Sequence, residues 1–331
     1  MLVANFSDPK LAWAAALAGA PLILLLRRLL RRSRRLSVLP RHKERVLILG
    51  ASSGIGRSIA EQYASKGARV CIVGRRASDV QEVESVCSKL YNITSAAAGR
   101  LSHPVIGYAA DFTKAEDMVR LRDELVTAWQ GVDTVIVCAG VSSLRPVMEI
   151  ACGDQSEEYP GVDGVQRTAD VASAALSANY IGPLTAAVTF IPLLEKTSVS
   201  PSILLMSSLA AVVPAPTRAL YCSTKGASLL LYQSLAIEHP SIKFSNILPY
   251  TVEGNFRASA VDGGGVREAD PNKHGLKIVD VARRSIEQVD FGEKMVFLPA
   301  GGRQLHWLYW LWPAVIERFA MKKYNFSHPS H

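Results

Sequence analysis

Residues 45–56 read Arg-Val-Leu-Ile-Leu-Gly-Ala-Ser-Ser-Gly-Ile-Gly, and this stretch decides the fold. A short apolar run, typical of a buried strand, leads directly into Gly50, Gly54 and Gly56 at the start of a helical stretch. Glycines at such a turn let the backbone approach a pyrophosphate closely, and the free N–H groups at the helix start attract the phosphate charge. The stretch therefore predicts the first βαβ unit of a dinucleotide-binding fold.

The chain that follows alternates between strand-like and helical segments. Buried strands are predicted at Arg45–Leu49, Arg69–Val73, Val105–Ala109, Thr134–Val137, Ile203–Met206, Lys243–Ile247 and Met295–Leu298. Helices are predicted at Gly56–Lys66, Ala115–Trp129, Asn179–Lys196 and Thr217–Glu238. Such alternation predicts right-handed βαβ units, and hence an α/β fold with a doubly wound parallel sheet of the Rossmann type. The acidic stretch 152–164 is interpreted as a surface loop, and the Gly- and Asp-rich stretch 258–275 as a mobile segment.

The charge of the chain is concentrated in one place. The 331 residues carry a formal net charge of +8, and the segment Arg27–Arg45, with nine cations and one anion, accounts for all of it. A neutral body with one basic segment argues against a nucleic-acid partner. The five cysteines are scattered and form no Cys-x-x-Cys pair, so they favour a reducing compartment and predict neither a disulfide framework nor a metal site.

The N-terminal region predicts a membrane anchor. Leu11–Leu26 contains no charge and, if its helix continues to Leu30, spans about 30 Å, the thickness of a hydrocarbon core. The cations follow the apolar stretch, which is the reverse of a cleaved secretory signal. We therefore expect an uncleaved anchor, with the basic collar, the cations that follow residue 26, against lipid headgroups. The expected location is the endoplasmic reticulum membrane, with the body of the protein on the cytosolic side.

Three regions are predicted in all: residues 1–43 as the anchor and basic collar, residues 44–300 as the Rossmann-type domain, and residues 301–331 as an aromatic extension. The extension places three tryptophans and a tyrosine within Leu305–Pro313. Amphipathic aromatic residues favour a membrane interface. A helix that caps the core, or a contact between two copies in a homodimer, would use the same residues, and both alternatives stay open.

A second group of residues points to chemistry. Tyr221 and Lys225 are four residues apart on a predicted helix and so share one face. A free phenol has a pKa of about 10, and a nearby ammonium lowers it by favouring the phenolate. Ser208 ends the fifth predicted strand thirteen residues earlier, and Asn179 precedes it. Both could serve the same site as the tyrosine.

Together with the Gly-xxx-Gly-x-Gly spacing, this group resembles the short-chain dehydrogenase/reductase family, over about Arg45 to Leu298. The resemblance implies that Tyr221 is the acid/base and that Ser208 orients the substrate oxygen. It also implies that Lys225 holds the nicotinamide ribose, while Asn179 supports a proton relay.

The same resemblance implies a set of cofactor contacts. The second strand is followed by Arg75 and Arg76, where NAD-binding folds usually place an acid for the ribose 2′-hydroxyl. An arginine can instead clamp a 2′-phosphate, so NADP(H) is expected, with Arg75 as the main contact. Ser52, Ser53 and Arg76 are expected to help, and Asp111 to contact adenine. Further contacts are expected from Gly50, Gly54, Ile55, Gly56, Ala139, Gly140, Pro249 and Val252, beside Tyr221 and Lys225.

Three positions depart from the family pattern. Cys138 stands where the family usually has asparagine, Tyr250 where it has glycine, and Gly254 where it has threonine. The tail Leu308–Asn325 is similar to the 11β-hydroxysteroid-dehydrogenase-like branch, although the charge order of the anchor here is opposite to a lumenal arrangement.

The expected activity is hydride transfer between nicotinamide and a carbonyl or secondary alcohol. The anchor and apolar tail favour a lipid-like substrate, such as a keto-sphingoid, sterol or retinoid ketone. Two alternatives remain: a non-catalytic NADP(H)-binding membrane scaffold, which would not need Ser208, Tyr221 and Lys225 together, and a nucleotide-sugar epimerase, whose glycine loop usually has another spacing. Fold alone does not choose among them.

Overall fold

The computed structural model describes residues 34–94, 103–153 and 159–327. The apolar stretch 11–26 and the first cations of the basic segment lie outside these residues. The described chain contains a seven-stranded sheet in which every neighbouring pair is parallel. The strands are β1 (Arg45–Leu49), β2 (Arg69–Gly74), β3 (Val105–Ala109), β4 (Thr134–Val137), β5 (Ser202–Met206), β6 (Lys243–Pro249) and β7 (Met295–Leu298).

The strand order is β3-β2-β1-β4-β5-β6-β7. The chain therefore runs outward in one direction from β1 and then in the other from β4, which makes the sheet doubly wound. In such sheets the crevice beyond the carboxyl ends of the strands, where the order reverses, is the usual ligand site. The predicted fold class is confirmed.

Helices cover the two faces of the sheet. They are α1 (Arg34–Val38), α2 (Gly54–Ala64), α3 (Ala77–Thr94), α4 (Ala115–Trp129), α5 (Val147–Cys152), α6 (Val162–Leu176), α7 (Gly182–Thr197), α8 (Ala219–Glu238), α9 (Pro271–His274), α10 (Ile278–Phe291), α11 (Gly302–Leu311) and α12 (Pro313–Lys323). A π-helical turn, Ser177–Ile181, joins α6 to α7. Short 3₁₀ turns occur at Arg41–Lys43, Leu209–Ala211 and Phe256–Ser259.

Each face of the sheet has its own hydrophobic core, because successive strand residues point to opposite sides. Ile48 and Tyr63 are fully buried on one side, and Leu47, Met118 and Phe190 are fully buried on the other. Burial of one such large apolar side chain contributes about 1.5–3 kcal/mol. The two cores hold the carboxyl ends of the strands at fixed positions beneath the crevice.

The continuous helical stretch 162–197 is long and apolar enough to cross a membrane, judged by length and composition within the described residues. Half of its most apolar window is buried inside the protein. Phe190 and Leu194 of α7 belong to the core beneath the sheet. We therefore interpret α7 as a core helix of the domain.

The strand predictions agree closely with the structure, and β1, β3, β4 and β7 have the predicted bounds. Three long helices, α3, α6 and α10, were not predicted. Part of the stretch interpreted as a surface loop is helical, since α6 begins at Val162. Gly164 of this helix lies against α5 so closely that a Cβ would be 2.0 Å from the carbonyl oxygen of Ala151.

The end of the basic segment packs against the body. Arg35 is buried and donates to Glu44 (Nη1 to Oε1, 2.7 Å) and to Thr134 Oγ1 (2.7 Å). Arg41 forms ion pairs with Glu44 and with Asp290. These two cations of the collar were expected to face lipid headgroups, and that expectation is wrong because buried carboxylates of the domain neutralise them.

The aromatic extension forms two helices with two different faces. Leu305, Tyr309 and Ile316 pack with Leu209 and Phe297 in a small third core. On the outer face three tryptophans are exposed by 60–75%: Trp307, Trp310 and Trp312. The extension thus caps the core of the domain, as one of the alternatives predicted. It also presents an exposed aromatic surface, which a membrane interface or a homodimer contact would require.

Candidate active site

A cleft of about 1160 Å³ lies at the carboxyl ends of the strands. Of the residues predicted for the site, all except the buried Asn179 line it. Those lining residues are Gly50, Ser52, Ser53, Gly54, Ile55, Gly56, Arg75, Arg76, Asp111, Ala139, Gly140, Ser208, Tyr221, Lys225, Pro249 and Val252.

The glycine turn after β1 fits a bound pyrophosphate. A Cβ on Gly56 would lie 2.1 Å from the Gly50 carbonyl oxygen, and one on Gly50 would lie 2.5 Å from the Ala139 nitrogen, so both positions require glycine. Gly54 has a φ of +55° and opens α2, and a Cβ there would meet no protein atom within 4 Å. The turn is therefore tight on its protein side and open toward the cleft, where the helix N–H groups can bind phosphate.

The end of β2 carries the predicted 2′-phosphate site. Arg75 is exposed and forms no hydrogen bond or ion pair with any other residue that the structure describes. Arg76 is engaged by Asp79, three residues later. A Cβ on Gly74 would lie 3.0 Å from Ser52 Oγ, which places the serine hydroxyl beside the arginines. Arg75 is thus the arginine of the pair that is free to bind an anion.

Asp111 follows β3 at the expected adenine position. One carboxylate oxygen, Oδ1, accepts hydrogen bonds from the backbone N–H (3.0 Å) and the hydroxyl (2.8 Å) of Thr113. The Asp111 N–H donates to Asp117 at 2.8 Å. These bonds hold the aspartate at the rim of the cleft, and Oδ2 is not used by them.

Asn179 does not line the cleft but forms hydrogen bonds with Val141, which does, and with Thr224, which lies next to a residue that does. Its Oδ1 accepts from the Val141 N–H (2.9 Å), and its Nδ2 donates to the Val141 carbonyl (3.0 Å) and to Thr224 Oγ1 (3.1 Å). It lies in the π-helical turn, a feature that often marks functional sites in helices. The side chain ties the loop after β4 to α8, the helix that carries Tyr221.

Lys225 of α8 is buried next to the loop that follows β4. Its Nζ donates to the Met206 carbonyl at 3.0 Å, and burial lowers the pKa of the ammonium to about 8. A Cβ on Gly140 would lie 3.3 Å from Nζ and 2.8 Å from Asn179 Oδ1, so a side chain at that position would displace both groups. Burial raises the pKa of the Cys138 thiol to about 12, and the thiol is therefore neutral.

Tyr221 and Ser208, the residues predicted to act on the substrate, lie together in the cleft. Burial raises the pKa of the Tyr221 hydroxyl, while a hydrogen bond with Ser208 and the charge of Arg218 lower it. Ser208 follows β5, and its Oγ accepts from the Ala210 N–H at 3.2 Å. Since the net shift is upward, Tyr221 is protonated at neutral pH and can donate its proton.

The stretch 258–275, interpreted from sequence as mobile, is tied to the wall of the cleft. Asp262 Oδ2 accepts from Ser143 Oγ (2.7 Å) and from the N–H groups of Leu144 (2.6 Å) and Arg145 (2.8 Å). These bonds hold the pKa of Asp262 below its usual range despite partial burial. One carboxylate with three donors therefore anchors the glycine-rich segment, at Asp262, to the loop after β4.

Several charged residues of the cleft were missed by the sequence analysis. They are Arg218, Arg257, Glu268 and Lys323. Arg218 lies three residues before Tyr221, and this helical spacing was a usable signal, since its guanidinium carbon is 6.0 Å from the Tyr221 ring centroid. The other three come from distant parts of the chain, and no local pattern marks them.

The departures from the family motif after β6 have structural reasons. The ring of Tyr250 lies under the Lys323 ammonium, with Nζ 3.6 Å from the ring centroid. Gly254 has a φ of +97° and donates its N–H to Asn272 Oδ1 at 2.9 Å. A threonine at 254 would be strained in that backbone conformation. Tyr250 thus connects the strand end to the C-terminal extension.

The doubly wound sheet, the open glycine turn and the Ser208, Tyr221 and Lys225 cluster define a class of protein, the nicotinamide-dependent oxidoreductases. The sequence profile described as short chain dehydrogenase matches residues 44–263. The chain belongs to the short-chain dehydrogenase family, as its motifs predicted.

Related proteins extend this result. An 11-beta-hydroxysteroid dehydrogenase A of Sesamum indicum is 26% identical over 281 residues, which cover 82% of this chain and 73% of that protein. A dehydrogenase/reductase SDR family member 7B of Danio rerio is 26% identical over 309 residues, covering 91% of both chains. A solved short-chain dehydrogenase/reductase from Burkholderia phymatum, in complex with NAD, aligns with a TM-score of 0.65 at 16% identity, over 87% of this chain and 98% of that one. At this low sequence identity, the similarity shows that the two proteins share a fold.

Proposed function

We propose that this short-chain dehydrogenase uses NADPH to reduce a ketone carried by a lipid at a membrane surface. The observation that carries the proposal is the pairing of two features in one cleft. Arg75, exposed and unengaged among the described residues, lies at the expected adenosine end. Ser208, Tyr221 and Lys225 lie at the other end. The first feature supports a cofactor with a 2′-phosphate, and the second supports proton transfer to a carbonyl oxygen.

The residues of the chain would divide the chemistry among them. NADPH, when bound, supplies the hydride. Ser208 would hold the substrate oxygen through its hydroxyl, and Tyr221 would donate its proton to that oxygen as the carbonyl is reduced. The positive charge of Arg218, which lowers the pKa of Tyr221, would stabilise the phenolate that remains. Lys225, one helical turn on, would hold the nicotinamide ribose.

The proposed lipid substrate is supported by the wall of the cleft that the extension forms. Leu305, Ile316, Phe319 and Ala320 line it, and Phe319 is also largely exposed at its edge. The exposed tryptophans of the extension lie on α11 and at its junction with α12. The name of the sesame relative, a hydroxysteroid dehydrogenase, also fits an apolar substrate. We propose that this face meets the membrane into which residues 11–26 insert, with residues 44–300 as the catalytic domain on the cytosolic side of the endoplasmic reticulum.

The proposal is tested with the full-length protein in lipid nanodiscs. Extracted cellular lipids are supplied with NADPH, and the loss of NADPH fluorescence is followed together with the ketones that disappear by mass spectrometry. Wild type is expected to consume a ketone, Tyr221→Phe to consume none, and Ser223→Ala to match wild type. Ser223 is exposed on α8, and its hydroxyl donates only to the Leu220 carbonyl. Binding of NADPH without loss of any ketone would favour the non-catalytic scaffold instead.

A further inference from the structure

Four charged side chains gather at the substrate end of the cleft, and we call them the cationic pocket: Arg218, Arg257, Glu268 and Lys323. They come from three separate elements, which are the start of α8, the stretch 256–275 and the end of α12. Three are cations and one is an anion. The pocket therefore carries an excess of two positive charges next to the catalytic tyrosine.

The single carboxylate is shared by both arginines. Glu268 Oε1 accepts from Arg218, and Glu268 Oε2 accepts from Arg257 Nη2 at 2.8 Å. Arg218 also donates through Nη1 to Ser142 Oγ at 2.7 Å. Lys323 donates to Thr251 Oγ1 at 3.2 Å, and it has no ion pair with any residue that the structure describes.

The pocket retains donors that protein groups do not satisfy. Arg257 Nε is buried and has no hydrogen-bond partner. Burial lowers the pKa of Lys323 to about 8; the charge of Glu268 opposes this shift, and the charges of Arg257 and Arg218 add to it. Buried cations without matching anions are costly to a folded protein. An anionic group from a ligand would compensate for the excess positive charge of the pocket.

We propose that the cationic pocket binds a phosphate monoester on the substrate, so that the enzyme reduces a lipid ketone with a phosphate headgroup. The inference rests on the proposed function and names its substrate class. A phosphate dianion matches the excess of two positive charges, whereas a carboxylate matches only one. It also offers several acceptor oxygens to donors that converge from different sides, which suits arginine and lysine together.

Distances place the phosphate close to the reacting group. The Arg218 guanidinium carbon is 6.0 Å from the Tyr221 ring centroid and 5.8 Å from the Tyr324 ring centroid. Lys323 Nζ is 4.9 Å from the Tyr324 ring centroid. The phosphate therefore lies only a few bonds from the ketone, and the hydrocarbon chain follows the apolar wall at Ile316 toward the edge of the cleft.

A purely structural role for the cluster predicts something different. If Glu268 served only to fix the stretch 256–275, one arginine would neutralise it, and Asp262 already fixes that stretch. The second arginine would then add only uncompensated charge, and Lys323 would serve only to stack on the Tyr250 ring. Loss of the cluster would in that case lower stability without any preference among substrates.

The test compares ketones that differ only in their headgroup. The first is a long-chain 2-ketone with a phosphate on the adjacent carbon, and the second has a hydroxyl in place of that phosphate. A short-chain keto phosphate, with the same headgroup, separates a lipid-borne phosphate from a soluble one. Full-length protein in nanodiscs is saturated with NADPH, so that the 2′-phosphate site is occupied, and kcat/KM is measured for each ketone.

The wild-type kcat/KM is expected to favour the long-chain phosphate over the hydroxyl by roughly tenfold to a hundredfold, the range of one charge-assisted contact or two. Arg257→Gln and Lys323→Gln are each expected to bring that ratio toward one. Arg267→Gln, in the same stretch but paired with Glu149 outside the cleft, is the matched control and should keep the ratio. A ratio near one in wild type, with both ketones reduced, overturns the phosphate site and leaves the proposed function intact. Equal kcat/KM for the short-chain keto phosphate overturns the lipid part of the inference.

Calorimetry on the NADP⁺-saturated Tyr221→Phe protein separates the two proposals when no turnover is seen. Binding of the long-chain phosphate ketone that weakens at least tenfold in Arg257→Gln, with wild type inactive on every ketone, supports the phosphate site and overturns the proposed function. Equal binding of the phosphate and hydroxyl ketones overturns the phosphate site. Lys323→Gln provides a second variant should Arg257→Gln fail to fold.

Discussion

Replacement of Arg75 should change which cofactor this enzyme binds. Arg75 is exposed at the end of β2 and is engaged by no other described residue, so its removal breaks nothing in the protein. A hydrogen bond to a charged group contributes about 1.5–3 kcal/mol, and exposure favours the lower half of that range. The NADPH dissociation constant is therefore expected to rise roughly ten- to fortyfold in Arg75→Gln, while that for NADH stays nearly constant.

Arg75→Asp should go further, because an acid at this position repels the 2′-phosphate and accepts from a ribose hydroxyl. We expect it to erase or invert the preference for NADPH over NADH that we propose for the wild type. Dissociation constants are measured by titration of cofactor against tryptophan fluorescence. Arg76→Gln is the matched control, since Arg76 is engaged by Asp79 and should contribute less. Equal affinity of the wild type for NADPH and NADH would refute the reasoning, as would an equal loss in the two glutamine variants.

Four further outcomes are expected. Tyr221→Phe should abolish ketone reduction in a turnover assay yet leave NADPH affinity nearly intact, whereas Lys225→Ala should reduce both because it would also hold the ribose. The kcat/KM for reduction should fall as pH rises through about 8, because burial lowers the pKa of Lys225 to that value and its ammonium is present only below it. Glu44→Gln should lower the free energy of unfolding in urea by about 3–5 kcal/mol, since it breaks two buried ion pairs and leaves Asp290 as the one carboxylate near Arg35 and Arg41 among the described residues. In intact microsomes, protease should digest the body, and the exposed sequon residues Asn92 and Asn325 should carry no glycan.

Each of these outcomes has its own control. Lys225→Arg retains the charge, so its alkaline limb should move upward, and an unmoved limb would assign the titration to another group. Glu287→Gln removes an exposed partner of Arg283 and should cost less than about 1 kcal/mol, so an equal loss in Glu44→Gln would contradict the buried-pair argument. Turnover within tenfold of wild type in Tyr221→Phe would exclude it as the acid. A protected and glycosylated body would reverse the orientation.

The sheet could be predicted almost entirely from the sequence, for a physical reason. Parallel strands covered by helices on both faces are buried on both sides, so they appear as continuous apolar runs such as Val-Leu-Ile-Leu in β1. Helices are harder to predict, because they bury only one stripe. In α3 four of 18 residues are buried, and in α10 six of 14 are buried. Both helices carry several charged side chains, and neither was predicted.

The positions of the expected cofactor contacts along the cleft were also predictable, since each of these residues belongs to a short motif that follows a strand. Gly50, Arg75, Asp111 and Gly140 all line the cleft, as the carboxyl ends of parallel strands bring them together. The substrate side was not predictable in this way. Apart from Arg218, whose helical spacing from Tyr221 was a signal, its charged residues follow no motif, and they meet because the stretch 256–275 and the end of α12 both reach the start of α8.

Two features of the substrate side were not predicted, namely the cation of Lys323 and the apolar wall of the cleft. Both come from the C-terminal extension. Lys323 at the end of α12 reaches the cleft and lies 3.6 Å from the Tyr250 ring, at the position where the family usually has glycine. A glycine at 250 would offer no ring to this ammonium. The departure from the motif and the added helices therefore act as one unit, which brings a cation to the cleft and lines one side of it with apolar residues. Removal of the extension should consequently alter substrate selection more than cofactor affinity, because Arg75 and the glycine turn lie at the opposite end of the same cleft.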